Sequence, residues 1–222
     1  MPRPRGYKQR TDIVLDRLNQ LYPVVQCALD HKNPYELLVA TILSAQCTDV
    51  RVNIVTPAFF KKYSTVDKLA VAQQADVEKL IQSTGFFRNK AKNLIGMAQA
   101  VVARFDGDIP SAREDLVTLP GAGRKTANVI RAEAFGLPGL PVDTHVTRLS
   151  RRLKLTNETD AVKIEFDLMA IIPEDQWGDF SLRLIEHGRR ICDAKKPRCD
   201  ECVLNDICPS AFVVLTAKPS SL

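Results

Sequence analysis

The chain contains the stretch Leu119-Pro120-Gly121-Ala122-Gly123-Arg124-Lys125-Thr126-Ala127, a glycine-containing turn between two segments with helical periodicity. Gly121 and Gly123 allow the backbone to adopt positive φ angles and leave it without side chains. The amides of the turn and of the following helix start then point outward together, which favours an anion such as a phosphate. This stretch, called the hairpin below, predicts two helices joined at a phosphate site. An ordinary helix connector is the alternative.

The surrounding sequence predicts an all-α fold. Apolar residues recur at three- and four-residue spacing, as between Ile13 and Leu21, and we expect about ten helices. Asn33-Pro34-Tyr35-Glu36 offers a cap, a proline at the first helical position and a glutamate behind it. The following segment, Leu37–Leu43, is apolar almost all round and is expected at a domain centre. Ser111-Ala112-Arg113-Glu114 has the pattern of a capping box that opens another helix.

A weak internal repeat relates two parts of this helical sequence. Residues 80–94 and 116–130 both read as a helix, a glycine turn and a second helix, and Gly85 aligns with Gly121. Phe86 and Phe87 stand in the turn of the first copy. The repeat predicts a second turn with the geometry of the hairpin.

Four of the six cysteines fall in one short segment with the spacing C-x6-C-x2-C-x5-C: Cys192, Cys199, Cys202 and Cys208. Thiolates this close in sequence can converge on one metal centre. Their spacing alone leaves a zinc ion and an iron–sulfur cluster comparably open, although zinc sites usually show two tight pairs. Disulfides are disfavoured, because no apolar signal segment follows the basic N-terminus and reduced cytosolic thiols are expected.

Charge and hydropathy narrow the class of partner. The net charge is +5, but four of these charges lie within the first ten residues. Two internal segments, Arg124–Lys154 and Arg183–Arg198, are locally basic and suggest a surface that faces a polyanion, with solvated helix faces as the alternative. The uncharged stretch from Leu37 to Thr48 is too short to span a bilayer, so no membrane association is expected.

Asp143 follows the hairpin after a proline-rich loop, within Pro141-Val142-Asp143-Thr144-His145. It precedes a periodic segment, so on its own it reads first as a helix cap. The order of hairpin, loop 136–141 and Val-Asp-Thr-His nevertheless resembles the helix–hairpin–helix (HhH-GPD) superfamily of DNA glycosylases. Leu43–Asp49 and His187-Gly188-Arg189 ahead of the cysteines extend the resemblance to the bacterial endonuclease III family, over roughly residues 11–210.

The resemblance implies a two-lobed fold with DNA in the groove between the lobes. Residues 26–137 would form a six-helix barrel domain that carries the hairpin. Residues 1–25 and 138–222 would form a discontinuous iron–sulfur domain, with a loosely held tail after about residue 210. In this family the four-cysteine spacing holds one [4Fe–4S] cluster, which favours iron–sulfur over zinc.

The resemblance also implies a reaction: removal of an oxidised pyrimidine from duplex DNA, then strand cleavage by β-elimination. The nucleotide must be extruded before its anomeric carbon can be attacked. Lys125 would be the nucleophile and form an imine, and Asp143 would stabilise the cationic sugar. The helix start and Arg124 favour the free amine of Lys125, whereas Asp143 favours its ammonium form, and the sequence leaves this balance open.

Further residues receive roles by the same resemblance. Gln46 would fill the gap left by the extruded base, with Phe86 or Phe87 as a wedge in the opposite strand; for Phe86 a core position is the alternative. Asp49 and His145 would lie near the lesion pocket. Phosphate contacts are expected from the hairpin and from the loop between the first two cysteines: Gly121, Gly123, Arg124, Thr126, Lys195, Lys196 and Arg198.

The expected partner is double-stranded DNA that contains damaged bases or abasic sites. We expect a monomer in the bacterial cytoplasm, associated with the nucleoid. Two other functions remain open. One is an adenine-specific mismatch glycosylase of the same superfamily, which typically lacks the hairpin lysine and carries an added C-terminal domain. The other is a non-catalytic DNA-binding helical protein with a structural metal.

Overall fold

The computed structural model describes residues 3–213 of the chain. This part contains eleven α-helices, three short 3₁₀ segments and no β-strand, which confirms the predicted all-α fold. No helix within it is long and apolar enough to cross a membrane.

The chain divides into two compact units. One unit is Cys27–Gly139, and the other combines the residues up to Gln26 with those from Leu140 onward. The sequence-based domain bounds, 26–137 against 1–25 with 138–222, stay a prediction. The predicted loose tail falls mostly on residues 214–222, which lie outside the described residues.

The unit Cys27–Gly139 is built around a buried central helix. Its seven helices are α2 (Pro34–Leu43), α3 (Asp49–Lys62), α4 (Val66–Ala70), α5 (Gln74–Ile81), α6 (Phe87–Phe105), α7 (Arg113–Leu116) and α8 (Arg124–Phe135). Every residue of Leu37–Leu43 is buried, as its all-round apolar sequence predicts. The helices around α2 present apolar stripes to it, including Phe59, Leu94 and Ile130, so one continuous core fills the unit.

The start of α2 forms as its sequence predicts. The Asn33 side-chain oxygen accepts a hydrogen bond from the Glu36 amide at 2.9 Å, and Pro34 occupies the first helical position. The expected capping box at Ser111 is wrong. Helix α7 begins at Arg113 with Ala112 as its N-cap, which has no side-chain acceptor. Ser111 lies one residue too early to cap the helix.

Both copies of the internal repeat fold as a helix, a glycine turn and a helix. In the first copy α5 and a 3₁₀ segment at Gln82–Thr84 lead through Gly85 to α6. In the second, α7 leads through Gly121 to α8. Gly85 and Gly121 have φ angles of 71° and 80°, so both turns use a left-handed glycine at the aligned position.

The second unit joins the first α-helix of residues 3–213 to the last three of that range. It contains α1 (Tyr7–Leu21), α9 (Thr144–Arg152), α10 (Ala161–Met169) and α11 (Trp177–Arg190), with 3₁₀ segments at Glu174–Gln176 and Cys199–Glu201. Its core includes Leu18, Leu149 and Phe180, all buried, and partly buried Cys192, Cys202 and Cys208 pack against it. The cysteine segment is therefore seated on an apolar core.

Candidate functional site

The hairpin turn presents a bare backbone at the start of α8. Gly121 is left-handed, and a Cβ there would come within 3.0 Å of Asn93 Cβ and 3.3 Å of Ile42 Cγ2. Gly123 differs from the sequence-based expectation, because its φ of −90° and ψ of 179° are extended. It serves as the N-cap of α8 and has open space around it. No side chain caps the helix start, so the first amides of α8 lack a side-chain acceptor, and the anion site expected there stays a prediction.

Three polar residues of the hairpin follow in the first turn of α8: Arg124, Lys125 and Thr126. Lys125 is exposed, whereas Arg124 and Thr126 are half-buried. The next residue, Ala127, is buried and donates its amide to the Gly123 carbonyl at 2.9 Å. Lys125 is therefore the second residue of α8 and lies on its solvent face.

Asp143 caps helix α9, as the sequence suggested it could. Its Oδ1 accepts the Val146 amide at 2.8 Å, and its backbone is extended. The carboxylate is half-buried and sits at the positive end of α9. One oxygen is thus fixed by the cap, which sets the orientation of the whole carboxyl group.

His145, in the first turn of α9, faces α11. The Arg148 guanidinium donates to His145 Nδ1 at 3.1 Å and to the Gly188 carbonyl at 3.1 Å. Arg148 also donates to the Cys192 carbonyl from two of its nitrogens, at 3.2 and 3.0 Å. The arginine therefore links the start of α9 to the first cysteine of the metal segment.

Gln46 projects from the turn that follows α2. It is exposed and has a left-handed backbone, with a φ of 52°. The Cys47 amide donates to the Ser44 carbonyl at 3.0 Å, and this bond closes the turn. Asp49, half-buried, is the first residue of α3, where Thr48 accepts the Arg51 amide as the N-cap. Its charge favours that helix end.

The two phenylalanines of the first repeat turn have different environments. Phe86 is 67% exposed and left-handed, with a φ of 47°. Phe87 is half-buried and packs against the core of its unit. The core alternative for Phe86 is therefore wrong, and Phe86 is the residue that projects from the turn.

The four clustered cysteines line one small cavity. Although they converge there, no three His, Cys, Asp or Glu side chains in residues 3–213 lie close enough to hold a single metal ion. A zinc ion would require its sulfurs to meet about 2.3 Å from one centre. Four thiols spread around one cavity instead suit a multi-atom iron–sulfur cluster, which each sulfur binds at a different corner.

Hydrogen-bond donors surround these sulfurs. Arg152 Nη1 lies 3.2 Å from Cys192 Sγ, and the Leu204 amide lies 3.4 Å from Cys202 Sγ. Burial raises the pKa of Cys202 to about 11 and also raises the pKa of Cys208. Thiolates at such buried positions need a cationic centre beside them, as a bound cluster provides.

His187 adds a further donor that the sequence did not single out as functional. It is buried, and its Nε2 lies 3.3 Å from Cys202 Sγ while its Nδ1 lies 3.2 Å from the Tyr22 hydroxyl. Burial lowers the pKa of His187 to about 4, so its ring is neutral at pH 7. When a cluster makes Cys202 a thiolate, that sulfur can only accept, so Nε2 would carry the proton and Nδ1 would accept from Tyr22.

The loop between the first two cysteines is ordered by its own residues. Asp193 Oδ1 accepts the amides of Lys195 and Lys196 at 2.8 and 3.0 Å, and these bonds lower the pKa of Asp193. Both lysine side chains are exposed. Arg198 is exposed too, but it pairs with Glu201 at 2.9 Å and donates to the Arg190 carbonyl. The lysines are therefore better placed than Arg198 to meet a phosphate.

Several arginines of the two basic segments bind the protein itself. Arg131 donates to the carbonyls of Pro138 and Ser111, and Arg152 donates to those of Asp193 and Ala194. Arg183 is buried and donates to the Tyr22 carbonyl. The interpretation of these segments as a continuous polyanion-facing surface is therefore wrong for these side chains. Apart from Pro138, which lies seven residues from Arg131, the accepting carbonyls are 20 or more residues away in sequence.

Comparison with known proteins identifies the class of protein to which this chain belongs. Residues 39–174 match the HhH-GPD superfamily of base excision DNA repair proteins, and this match covers more than half of the chain. Residues 192–208, which begin and end at the outer cysteines, match the iron–sulfur binding domain of endonuclease III. The chain is thus a base excision DNA repair protein with an iron–sulfur binding domain.

Individual relatives narrow this class. Endonuclease III of Synechocystis sp. is 56% identical over 205 residues, covering 92% of this chain and 94% of that protein. A solved non-covalent endonuclease III–DNA complex is 40% identical, with a TM-score of 0.88 over 92% of this chain and 96% of that one. A trapped endonuclease III–DNA covalent intermediate matches equally well. The chain belongs to the endonuclease III family, which confirms the resemblance seen in its sequence.

Proposed function

We propose that this chain removes oxidised pyrimidines from duplex DNA and cleaves the resulting abasic site through an imine on Lys125. The chain is a DNA glycosylase and AP lyase of the endonuclease III family. The observation that carries the assignment to Lys125 is its place, exposed in the first turn of α8 directly after the bare glycine turn. The trapped covalent intermediate of a 40% identical relative supports a covalent route.

The hairpin binds a DNA phosphate in this proposal. The outward amides at the start of α8 supply several donors, and the positive end of the helix supplies a favourable field. Arg124 and Thr126 flank the amides and can add contacts. A phosphate held here fixes the strand beside Lys125 without reading any base.

Lys125 provides the nucleophile for both steps. The lone pair of its free amine forms a bond to the anomeric carbon, and the bond from that carbon to the base breaks with its electron pair leaving on the base. The base takes up a proton, and the sugar ring then opens to give a protonated imine. The imine acidifies the neighbouring sugar carbon, so loss of its proton expels the adjoining phosphate. The amine nitrogen gives up the proton that the base takes up, and the C2′ proton lost in the elimination balances the one that the ring oxygen gains as the ring opens. One water molecule then hydrolyses the imine, which frees the Lys125 amine and leaves an aldehyde on the cleaved strand.

Asp143 acts on the first step. Its carboxylate, oriented by the bond to the Val146 amide, stabilises positive charge on the sugar as the base departs. It can also accept and return a proton. The cap thus serves the chemistry, because the bond to the Val146 amide fixes the orientation of the carboxyl group.

The cofactor is one [4Fe–4S] cluster, and we assign its ligands to the four thiolates that line the cysteine cavity. A bound cluster would offset part of the negative charge of those thiolates and would tie the segment 192–208 together. Arg152 and His187 donate to the ligand sulfurs. This would position the basic loop between the first two cysteines, from which Lys195 and Lys196 approach phosphates. Arg198 can also contribute, although it is paired with Glu201.

Gln46 and Phe86 enter the duplex in this proposal. Gln46 carries a polar side chain able to pair with the base left behind, and exposed Phe86 offers a flat apolar wedge for the opposite strand. Asp49 follows the Gln46 turn, and His145 begins the helix that Asp143 caps. Both are proposed to lie near the extruded base.

The proposed substrate is duplex DNA with a damaged base or an abasic site, bound by a single copy of the chain in the bacterial cytoplasm, at the nucleoid. The adenine mismatch alternative is disfavoured by Lys125, and the non-catalytic alternative by the match to a base excision repair superfamily.

One assay tests the whole proposal. Wild-type protein is incubated with a duplex that holds one thymine glycol, in the presence of borohydride, which reduces an imine to a stable protein–DNA adduct. We expect the adduct with wild type and with Lys92→Gln, a change at an exposed lysine on α6, and none with Lys125→Gln. An undiminished adduct in Lys125→Gln would assign the nucleophile elsewhere. A second duplex, with adenine opposite an oxidised guanine, is incubated in parallel, and activity restricted to that duplex would favour the mismatch enzyme.

A further inference from the structure

A buried lysine links the two turns that carry Gln46 and Phe86. Lys90, on α6, is only 4% exposed. Its Nζ donates to the carbonyl of Leu43 at 2.8 Å and to the carbonyl of Thr84 at 2.7 Å. Buried lysines are rare because removing an ammonium from water is costly unless it is well paired. A lysine kept at such a place must serve the structure around it.

Both acceptors end a helical segment just before one of the turns. Leu43 is the last residue of α2, and Thr84 is the last residue of the 3₁₀ segment Gln82–Thr84. Carbonyls at helix C-termini lack intrahelical partners and carry partial negative charge, so an ammonium is their natural donor. One Nζ thus satisfies two helix ends that lie far apart in sequence.

The residues that follow these ends have a strained backbone. Gln46 and Phe86 are two of five non-glycine residues with positive φ in residues 3–213. A left-handed conformation costs an L-residue free energy, and it persists only where the surroundings impose it. Both side chains are exposed, so contacts of their own with a core do not impose it. The constraint must come through the backbone on either side of them.

Lys90 supplies that constraint from the N-terminal side of each turn. Its own amide also donates to the Phe86 carbonyl at 3.0 Å, so backbone and side chain of one residue hold the Phe86 turn at both ends. The same ammonium then ties this turn to the end of α2, three residues before Gln46.

We propose that Lys90 is a positioning residue, which holds Gln46 and Phe86 together in the conformations that enter the duplex. This inference rests on the proposed function, because it assumes that both side chains enter DNA. Rigid side chains lose little conformational freedom on insertion, so more of the binding free energy remains to extrude the base. Lys90 itself touches neither DNA nor the reacting atoms.

The chemistry of lysine suits this task. Its compact ammonium has three donors on a flexible stem, enough for two carbonyls on different segments. Burial lowers the pKa of Lys90, while a nearby Cys47 thiolate would raise it. A neutral amine still has two N–H groups, so both bonds survive loss of the proton.

The test compares Lys90→Met with Lys92→Met, a matched change at an exposed position of the same helix. Three readouts are needed: excision from a thymine glycol duplex, cleavage of an abasic site in single-stranded DNA, and hydrogen exchange in peptides covering residues 44–48 and 84–88. The single-stranded substrate requires no extrusion, so it isolates the chemistry of Lys125 from wedge insertion.

We expect Lys90→Met to slow duplex excision by at least about tenfold and single-strand cleavage by less than about threefold, with faster exchange in both peptides. Lys92→Met should change none of these. Equal losses on the two substrates, or unchanged exchange in either turn, would overturn the proposal. Wild type that fails to excise thymine glycol would instead overturn the proposed function, and the exchange result would still report on the two turns.

If Lys90→Met does not fold, acetylation of the wild-type protein by an amine-reactive ester tests whether Lys90 stays buried. Lys92 should react at once, whereas Lys90 should stay unmodified in free and DNA-bound protein until the chain unfolds. Reaction of Lys90 at the rate of Lys92 would mean that the two turns open freely, and the proposal would fail.

Discussion

Gly188 on α11 lies directly against His145 on α9. A Cβ built on Gly188 would come within 2.7 Å of His145 Nδ1 and 3.0 Å of Arg148 Nη2. The Gly188 carbonyl accepts from the same arginine, which also reaches the Cys192 carbonyl. The absence of a side chain at this position therefore lets α9, α11 and the first cysteine meet around one guanidinium.

Gly188→Ala should destabilise the protein. The added methyl displaces His145 or separates the two helices, and overpacking of this kind costs about 1–3 kcal/mol. A lowering of the unfolding temperature by several degrees is expected in a thermal scan, with earlier loss of the cluster absorbance. Gly123→Ala, where the new Cβ meets nothing within 4 Å, is the control and should lower that temperature less, because it adds no clash and loses only the advantage of glycine over alanine as an N-cap.

His187→Phe should speed loss of the cluster in air. The substitution fills the buried space with a ring but removes the donor to Cys202 Sγ, and outer-shell partners of this kind change metal affinity by about 10–100-fold. Iron per chain and cluster absorbance, followed over time, measure the effect. Tyr22→Phe should show a smaller change in the same direction, because it removes only the bond that fixes the histidine tautomer.

His31→Phe is the matched control for that series, since His31 lies in the unit Cys27–Gly139 and bonds to the Leu29 carbonyl. Equal cluster loss in His31→Phe would mean that the histidine-to-phenylalanine change destabilises the fold in general, without a specific effect on the sulfurs.

The sequence predicted those features that depend on a few neighbouring residues. The start of α2 is one, because the Asn33 cap and Pro34 act within one turn of helix. The left-handed Gly121 is another. The sequence allows Gly123 the same positive φ, but glycine suits both a left-handed turn and an uncapped helix start, and only the folded turn distinguishes them.

Residues whose partners are distant in sequence escaped prediction. Lys90 lies in an amphipathic helix and reads as a surface lysine, since its acceptors at positions 43 and 84 come from other segments. Arg148 and Arg152 read as part of a DNA-binding surface for the same reason. Their carbonyl partners near Cys192 become neighbours only when α9 packs beside α11.

The buried Lys90 predicts a pH dependence of stability. Burial lowers its pKa in the folded chain below the ordinary value of 10.5, so between the two values the unfolded chain binds more protons than the folded one. The free energy of unfolding then rises with pH across that interval. The contribution of Lys90 is least favourable at neutral pH and improves toward pH 10.5.

Urea unfolding between pH 7 and 10 measures this dependence in wild type and in Lys90→Met. A Cys47→Ala background removes the thiolate that acts in the opposite direction. The stability of the lysine protein relative to Lys90→Met should increase with pH, while Lys92→Met should track wild type. A difference that stays flat with pH would show that the Lys90 charge is as well stabilised in the folded chain as in water.

Valine substitutions at the two glycines of the hairpin should have different effects on folding and on DNA binding. Gly121→Val forces a left-handed β-branched residue against Asn93 and Ile42, so it should lower stability as well as affinity. Gly123→Val adds its side chain in open space on an extended backbone, so it should fold normally but obstruct the outward amides.

Equilibrium binding to damaged and undamaged duplexes should therefore weaken equally for Gly123→Val, because a phosphate contact carries no base information. Selective loss of lesion preference with intact non-specific affinity would contradict the phosphate assignment of the hairpin.

Asp143→Asn should remove the negative charge of this side chain while keeping its role as the N-cap of α9. Asparagine is as good an N-cap as aspartate, so the bond to the Val146 amide and the stability of α9 should persist. Loss of the anion should slow base excision by about 100-fold, the scale of removing one preorganised electrostatic group. Cleavage of a preformed abasic site should fall much less, because only the first step builds cationic character on an intact nucleoside.

Asp143→Ala should add a loss of about 1 kcal/mol in stability, since it also removes the cap. Single-turnover rates on lesion and abasic duplexes, with thermal unfolding of each variant, distinguish these effects. Equal losses of Asp143→Asn on both substrates would mean that the carboxylate serves Lys125 rather than the departing base.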